Sequence, residues 1–116
     1  MDLAIWSAKQ VTLLDCLPQS TSWKTYSSEF GTEYQFEGEG WLISVQSLEE
    51  GEADDAVAEK LPDARYMIGL GLEPIEASPS GYLMLEQVTR AIAEHCDGVW
   101  VDPSGNAFRY NEGAFE

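Results

Sequence analysis

Positive charge is what this chain has least of. Its 116 residues hold six Lys and Arg against twenty-one Asp and Glu, a formal net charge of −15. Such a field repels nucleic-acid phosphate and anionic lipid headgroups, so direct binding to nucleic acid or to a membrane surface is not expected. Histidine occurs once, at His95, which removes any multi-histidine metal centre. There are two cysteines, Cys16 and Cys96, too few for a disulfide framework. Their order in the chain leaves both a bridge and two buried thiols open, and cytosolic thiols are the default. No apolar run reaches the ~18 residues of a membrane-spanning helix. Asp2 and Trp6 interrupt the start, so no secretory leader is expected and the protein is expected in the cytoplasm.

Phosphate-binding signatures are missing as well. Gly69 and Gly71 do not open a G-x-G-x-x-G motif because residue 74 is proline, and no P-loop lysine motif occurs. Asp102-Pro-Ser-Gly-Asn106 lacks the alternating acids and closing glutamate of a calcium loop and reads as a turn. No cofactor and no metal site is therefore expected. Carboxylate pairs such as Glu37/Glu39 and Asp54/Asp55 are too numerous for one to be singled out as a catalytic dyad.

What the chain does have is a normal globular composition, 44% apolar and 11% aromatic. One domain over residues 1–116, with a frayed tail from 111 to 116, accounts for the length. Leu3-Ala-Ile-Trp6 reads as a first strand, and Ser7 as the cap of a short helix over Val11 to Leu17, stopped by Pro18. Residues 19–32 read as a loop carrying Trp23 and Tyr26. Glu33 to Glu37 and Trp41 to Gln46 alternate around Gly38-Glu-Gly40 and predict a β-hairpin with Phe36, Trp41, Ile43 and Val45 inward. A helix is expected between Leu48 and Lys60, with Glu49, Glu50, Glu52, Asp54 and Asp55 at its positive end. Arg65 to Leu72 is a strand whose two glycines share a face, the expected place for a closely packed helix. Ser78-Pro79 starts the longest helix, with Met84, Val88, Ala91, Ile92 and Cys96 at helical spacing and Gly98 as the stop. Val99 to Val101 and Phe108 to Tyr110 are final strands. The fold class is α/β (α+β): a small mixed sheet with a central hairpin and two or three helices layered on one side, akin to a ferredoxin-like sandwich with additions.

The acidity is not evenly spread. Between Thr25 and Glu59 there are ten acids and no Lys or Arg, whereas a surface serving solubility alone mixes signs. Complementarity then points to a protein partner with a basic surface. The partner-binding candidates are Glu33, Glu37, Glu39, Glu49, Glu50, Glu52, Asp54 and Asp55, with Trp23 and Tyr26 as aromatic anchors. Ordinary loop packing of Trp23 and a solvated helix start for the acids are the plainer alternatives.

Ala64-Arg-Tyr-Met-Ile-Gly-Leu-Gly-Leu-Glu-Pro-Ile75, a helix, and then Gly98-Val-Trp-Val-Asp-Pro103 resemble, in general layout, size and acidity, the small bacterial immunity proteins that neutralise secreted toxins. The resemblance covers about residues 41–105 and brings no family motif from which functional residues carry over. It implies a cytosolic, non-enzymatic protein that blocks a cognate toxin by stoichiometric binding. An accessory or regulatory subunit of a larger bacterial complex is the alternative. A small enzyme using His95 or Cys16 comes third, and it requires one of them to line a cleft.

Overall fold

The computed structural model describes residues 2–18, 22–29, 31–73 and 79–113, with the backbone alone for Ser28, Leu48 and Glu49. The elements are β1 (Asp2–Ser7), α1 (Leu13–Cys16), β2 (Lys24–Ser28), β3 (Gly31–Gly38), β4 (Trp41–Glu50), α2 (Asp55–Lys60), β5 (Tyr66–Glu73), α3 (Pro79–Cys96), β6 (Val99–Val101) and β7 (Ala107–Arg109). The α+β class holds. The seven strands form one sheet in the order β2-β3-β4-β5-β1-β6-β7. Every neighbouring pair is antiparallel, which corrects the expected mixed sheet. In the middle four, β1 lies between β5 and β6, and β5 lies between β1 and β4.

Period-two alternation assigns each strand residue to a face. Leu3 and Ile5, Ile43 and Val45, and Ile68, Leu70 and Leu72 all point to the same side. There they meet Leu85, Val88, Ile92 and Ala93 of α3 and Leu13, Cys16 and Leu17 in and just after α1. The predicted hairpin forms, with Phe36 opposite Ile43 and Tyr34 opposite Val45. Gly38 is required there by close approach: a β-carbon on it would fall 2.1 Å from the Trp41 ring. Helix α3 ends in a Schellman arrangement. Gly98 N donates to Ala93 O at 2.8 Å, and Asp97 takes the left-handed position with φ 51°. Gly98 follows the stop rather than forming it. Its own constraint is steric, since a β-carbon would sit 2.5 Å from the Trp6 carbonyl oxygen.

Four local expectations are corrected. Part of the 19–32 loop is strand β2, because Lys24 to Ser28 complete the hydrogen bonding of β3, which would otherwise be an open edge; residues 19–21 and 30 lie outside the described residues. The first helix is one turn, Leu13–Cys16, its N-cap is Thr12, and Ser7 belongs to β1, its hydroxyl donating to the Lys9 carbonyl. Strand β4 runs on to Glu50, paired with Tyr66 across a bulge, so that α2 starts only at Asp55, capped by Asp54. Cross-strand pairing with β5 outweighs local helix preference over this stretch. Finally, helices cover both sides of the sheet. Val57 of α2 packs with Val99 and Ala107, beside Trp6 and Val101, on the side opposite α3. The expected cap Ser78 lies outside the described residues; Pro79 is the first helical residue.

Beyond β7 the chain stays attached. Arg90 sits over the Trp100 ring, its carbon 5.7 Å from the centroid, and donates to the carbonyls of Tyr110, Glu112 and Gly113 at 2.7, 2.8 and 2.9 Å. The tail expected to fray from 111 is thus held as far as Gly113, and residues 114–116 lie outside the described residues.

Candidate functional site

Among the described residues, the side of the sheet away from α3 is only half covered. Helix α2 sits over β6, β7 and the end of β1, and leaves β2 to β5 open. Two rows of cross-strand neighbours run over this open area. One passes from Tyr26 through Glu33, Gln46 and Gly69 to Ala4; the next from Lys24 through Gln35, Ser44 and Gly71 to Asp2. Glu37, Leu42 and Glu73 form a third. In the first two rows the side chains are small or polar around Gly69 and Gly71, and the surface dips into an open depression of about 310 Å³. Asp2, Glu33, Ser44 and Gln46 stand around it. Gln35 Nε2 donates to Glu33 Oε2, which fixes that carboxylate.

The glycines were expected to admit a helix. They face away from α3 and floor the depression instead, because β5 turns Ile68, Leu70 and Leu72 toward the helices.

The sequence candidates separate into groups. Tyr26, Glu33 and Glu37 share the open face, Tyr26 being half exposed. Glu39 lies in the β3–β4 turn, exposed. Glu52, Asp54 and Asp55 are exposed at the start of α2, on the same side of the sheet, and Asp54 accepts a hydrogen bond from Val57 N at 3.3 Å. Glu50 forms an ion pair with Arg65. The side chain of Glu49 lies outside the described residues. Trp23 does not behave as an exposed anchor: it packs on the covered side, its ring 5.8 Å from Phe36, which is itself 5.6 Å from Trp41. Its buried Nε1 has no hydrogen-bond partner among the described residues.

The few cations are mostly engaged elsewhere. Arg65 meets Glu50, Lys60 meets Glu112 and Arg90 meets Glu86, while Arg109 donates to the Lys60 carbonyl. Among the described residues of the open face, Lys24 is the one base beside Asp2, Glu33, Glu37 and Glu73. The field there is negative and little compensated by neighbouring cations.

The candidates for chemistry lie apart from this depression. Cys16 and Cys96 are buried, unbridged thiols. Burial pushes Cys16 up to about 11, helped by the neighbouring Cys96 and Asp15, and burial raises Cys96 as well; both are held as neutral thiols. His95 is exposed in the last turn of α3. Neither Cys16 nor His95 lines the depression. Among the described residues no three His, Cys, Asp or Glu side chains are grouped to hold a metal ion, and no helix is long and apolar enough to cross a membrane. The depression itself went unpredicted. Its signal was present as glycines two apart on β5 opposite Ser44 and Gln46 on β4, small and polar residues where a packed face would need bulk.

Comparison with known proteins returned no matching family model, no matching curated protein and no matching solved structure.

Proposed function

We propose that this chain is an acidic protein-binding domain that presents the half-open side of its sheet to a basic protein, acting as an immunity-type inhibitor of a cognate toxin in the bacterial cytoplasm. The observation that carries this reading is the gathering of Asp2, Glu33, Glu37 and Glu73 on the uncovered half of a sheet whose other half bears α2 with Glu52, Asp54, Asp55 and Glu59. A surface of this sign complements the cationic groove of a nuclease or of another enzyme acting on an anionic substrate, and steers association by about 10- to 1,000-fold at low salt. In this reading β1, β4, β5 and β6 with α1 and α3 form a ferredoxin-like core. Strands β2, β3 and β7 and helix α2 are additions to it, and β3 and α2 carry much of the acidic surface.

The test is rescue. Cells producing the product of the adjacent gene should grow only when this chain is co-expressed. Reversal of Glu33, Glu37, Asp54 and Asp55 to Lys should abolish that rescue and slow association. Rescue that survives the reversal, or no rescue by the native chain, overturns the proposal. One observation favours the alternative of an accessory subunit: β2 is an edge strand carrying the exposed Tyr26, suited to strand addition. Binding by that route would be nearly insensitive to salt.

A further inference from the structure

We infer that the depression over Gly69 and Gly71 is a socket for one arginine side chain of the basic partner. The inference rests on the acidic-face reading and narrows it from a charged surface to a defined contact. A β-carbon built on Gly71 would lie 3.3 Å from both Asp2 Oδ1 and Ser44 Oγ, so a carboxylate and a hydroxyl already flank the space that a side chain at this position would occupy. Gly69, the next residue on this face of β5, pairs with Ala4 on one side and Gln46 on the other, and Gln46 pairs in turn with Glu33. The volume of about 310 Å³ is at the small end of the range for ligand pockets and is enough for a single long side chain.

The polar groups around this floor are mainly acceptors: two carboxylates, a hydroxyl and the oxygen of an amide. A guanidinium complements them, being a planar set of five donors with no acceptor and a weaker hydration shell than an ammonium. Its flat face also suits a strand bare of side chains, whereas lysine brings a compact charge that holds its water. A metal ion lacks the required cluster among the described residues. A second copy of the chain would bring −15 against −15, and nucleic acid or anionic lipid is repelled in the same way.

The experiment is a chemical-shift titration of the intact, isotope-labelled chain with blocked arginine, with blocked lysine and with an oligo-arginine peptide. Blocked arginine should give saturable shifts at the amides of residues 2–4, 44–46 and 69–71, at several-fold lower concentration than blocked lysine. Gly71→Val, which fills the socket without altering charge, and Asp2→Asn, which removes one charge without altering volume, should each weaken arginine several-fold. Ser44→Ala serves as a third probe should Gly71→Val fail to fold. Shifts spread evenly over all exposed carboxylates, or binding indifferent to these substitutions, would overturn the socket and leave the acidic-face reading standing. No response even to oligo-arginine would overturn both.

Discussion

The two sides of one sheet are built from the same strands and look nothing alike. On the covered side Ile5, Ile43, Val45 and Leu72 are essentially inaccessible, and Trp100 closes the layer against Phe108 with ring centroids 4.6 Å apart. On the other side, one residue along in each strand, stand Ala4, Ser44, Gln46 and Gly71. The difference separates two kinds of constraint. The covered side must fill space at the density of a protein interior, and its residues are fixed by volume. The open half of the other side carries no such packing demand, so its small, polar and acidic residues are not fixed by volume.

Truncation on the covered side should produce the largest effects. Trp100→Ala removes the platform under Arg90 as well as core volume, and should cost about 3–5 kcal/mol, measured by urea unfolding. Gly98→Ala drives a β-carbon against the Trp6 carbonyl oxygen and should cost about 1–3 kcal/mol as the α3–β6 junction shifts. Arg90→Met should cost about 1 kcal/mol and, more tellingly, speed hydrogen exchange across residues 110–113, where it holds the carbonyls of Tyr110, Glu112 and Gly113. Between the ordinary thiol value of 9.0 and about 11 the unfolded chain ionises Cys16 while the folded chain keeps it protonated. Stability should therefore fall as pH rises through that window, and a Cys16→Ala variant should flatten the decline. The smallest effect belongs to the open face: Gln46→Ala and Glu33→Gln should alter stability by no more than about 0.5 kcal/mol. A loss there as large as at Trp100 would erase the distinction between the faces.

How much of this was readable beforehand follows the same division. Where bulky residues alternated or recurred at helical spacing, as in Trp41 to Val45 and Val88 to Cys96, the element and its inward side were legible, because burial of large apolar groups leaves a periodic trace. Strand β2 was not legible: Lys24-Thr-Tyr-Ser-Ser28 has little apolar pattern and becomes a strand only through pairing with β3. The extension of β4 to Glu50 was hidden for a related reason, since acids ahead of a helix suggest an earlier start than tertiary pairing allows. The acidic third was visible as a stretch of sequence, but that Glu33 and Glu37 of β3 share a side of the sheet with α2 depends on topology. Trp23 illustrates the converse. A tryptophan among polar neighbours reads as exposed, yet Phe36 and Trp41 on the adjoining strands give it an aromatic bed.

The claim that the half-open side is the binding surface is tested most directly by moving the same charge on each side. Glu33→Lys with Glu37→Lys alters the open face; Asp15→Lys with Glu94→Lys alters exposed positions on the helices of the covered side, and both pairs change net charge equally. Affinity for an oligo-arginine peptide, followed across ionic strength, should fall and lose much of its salt dependence in the first pair and change little in the second. Equal losses in the two pairs would contradict the account, leaving net charge, not this face, as the determinant of binding.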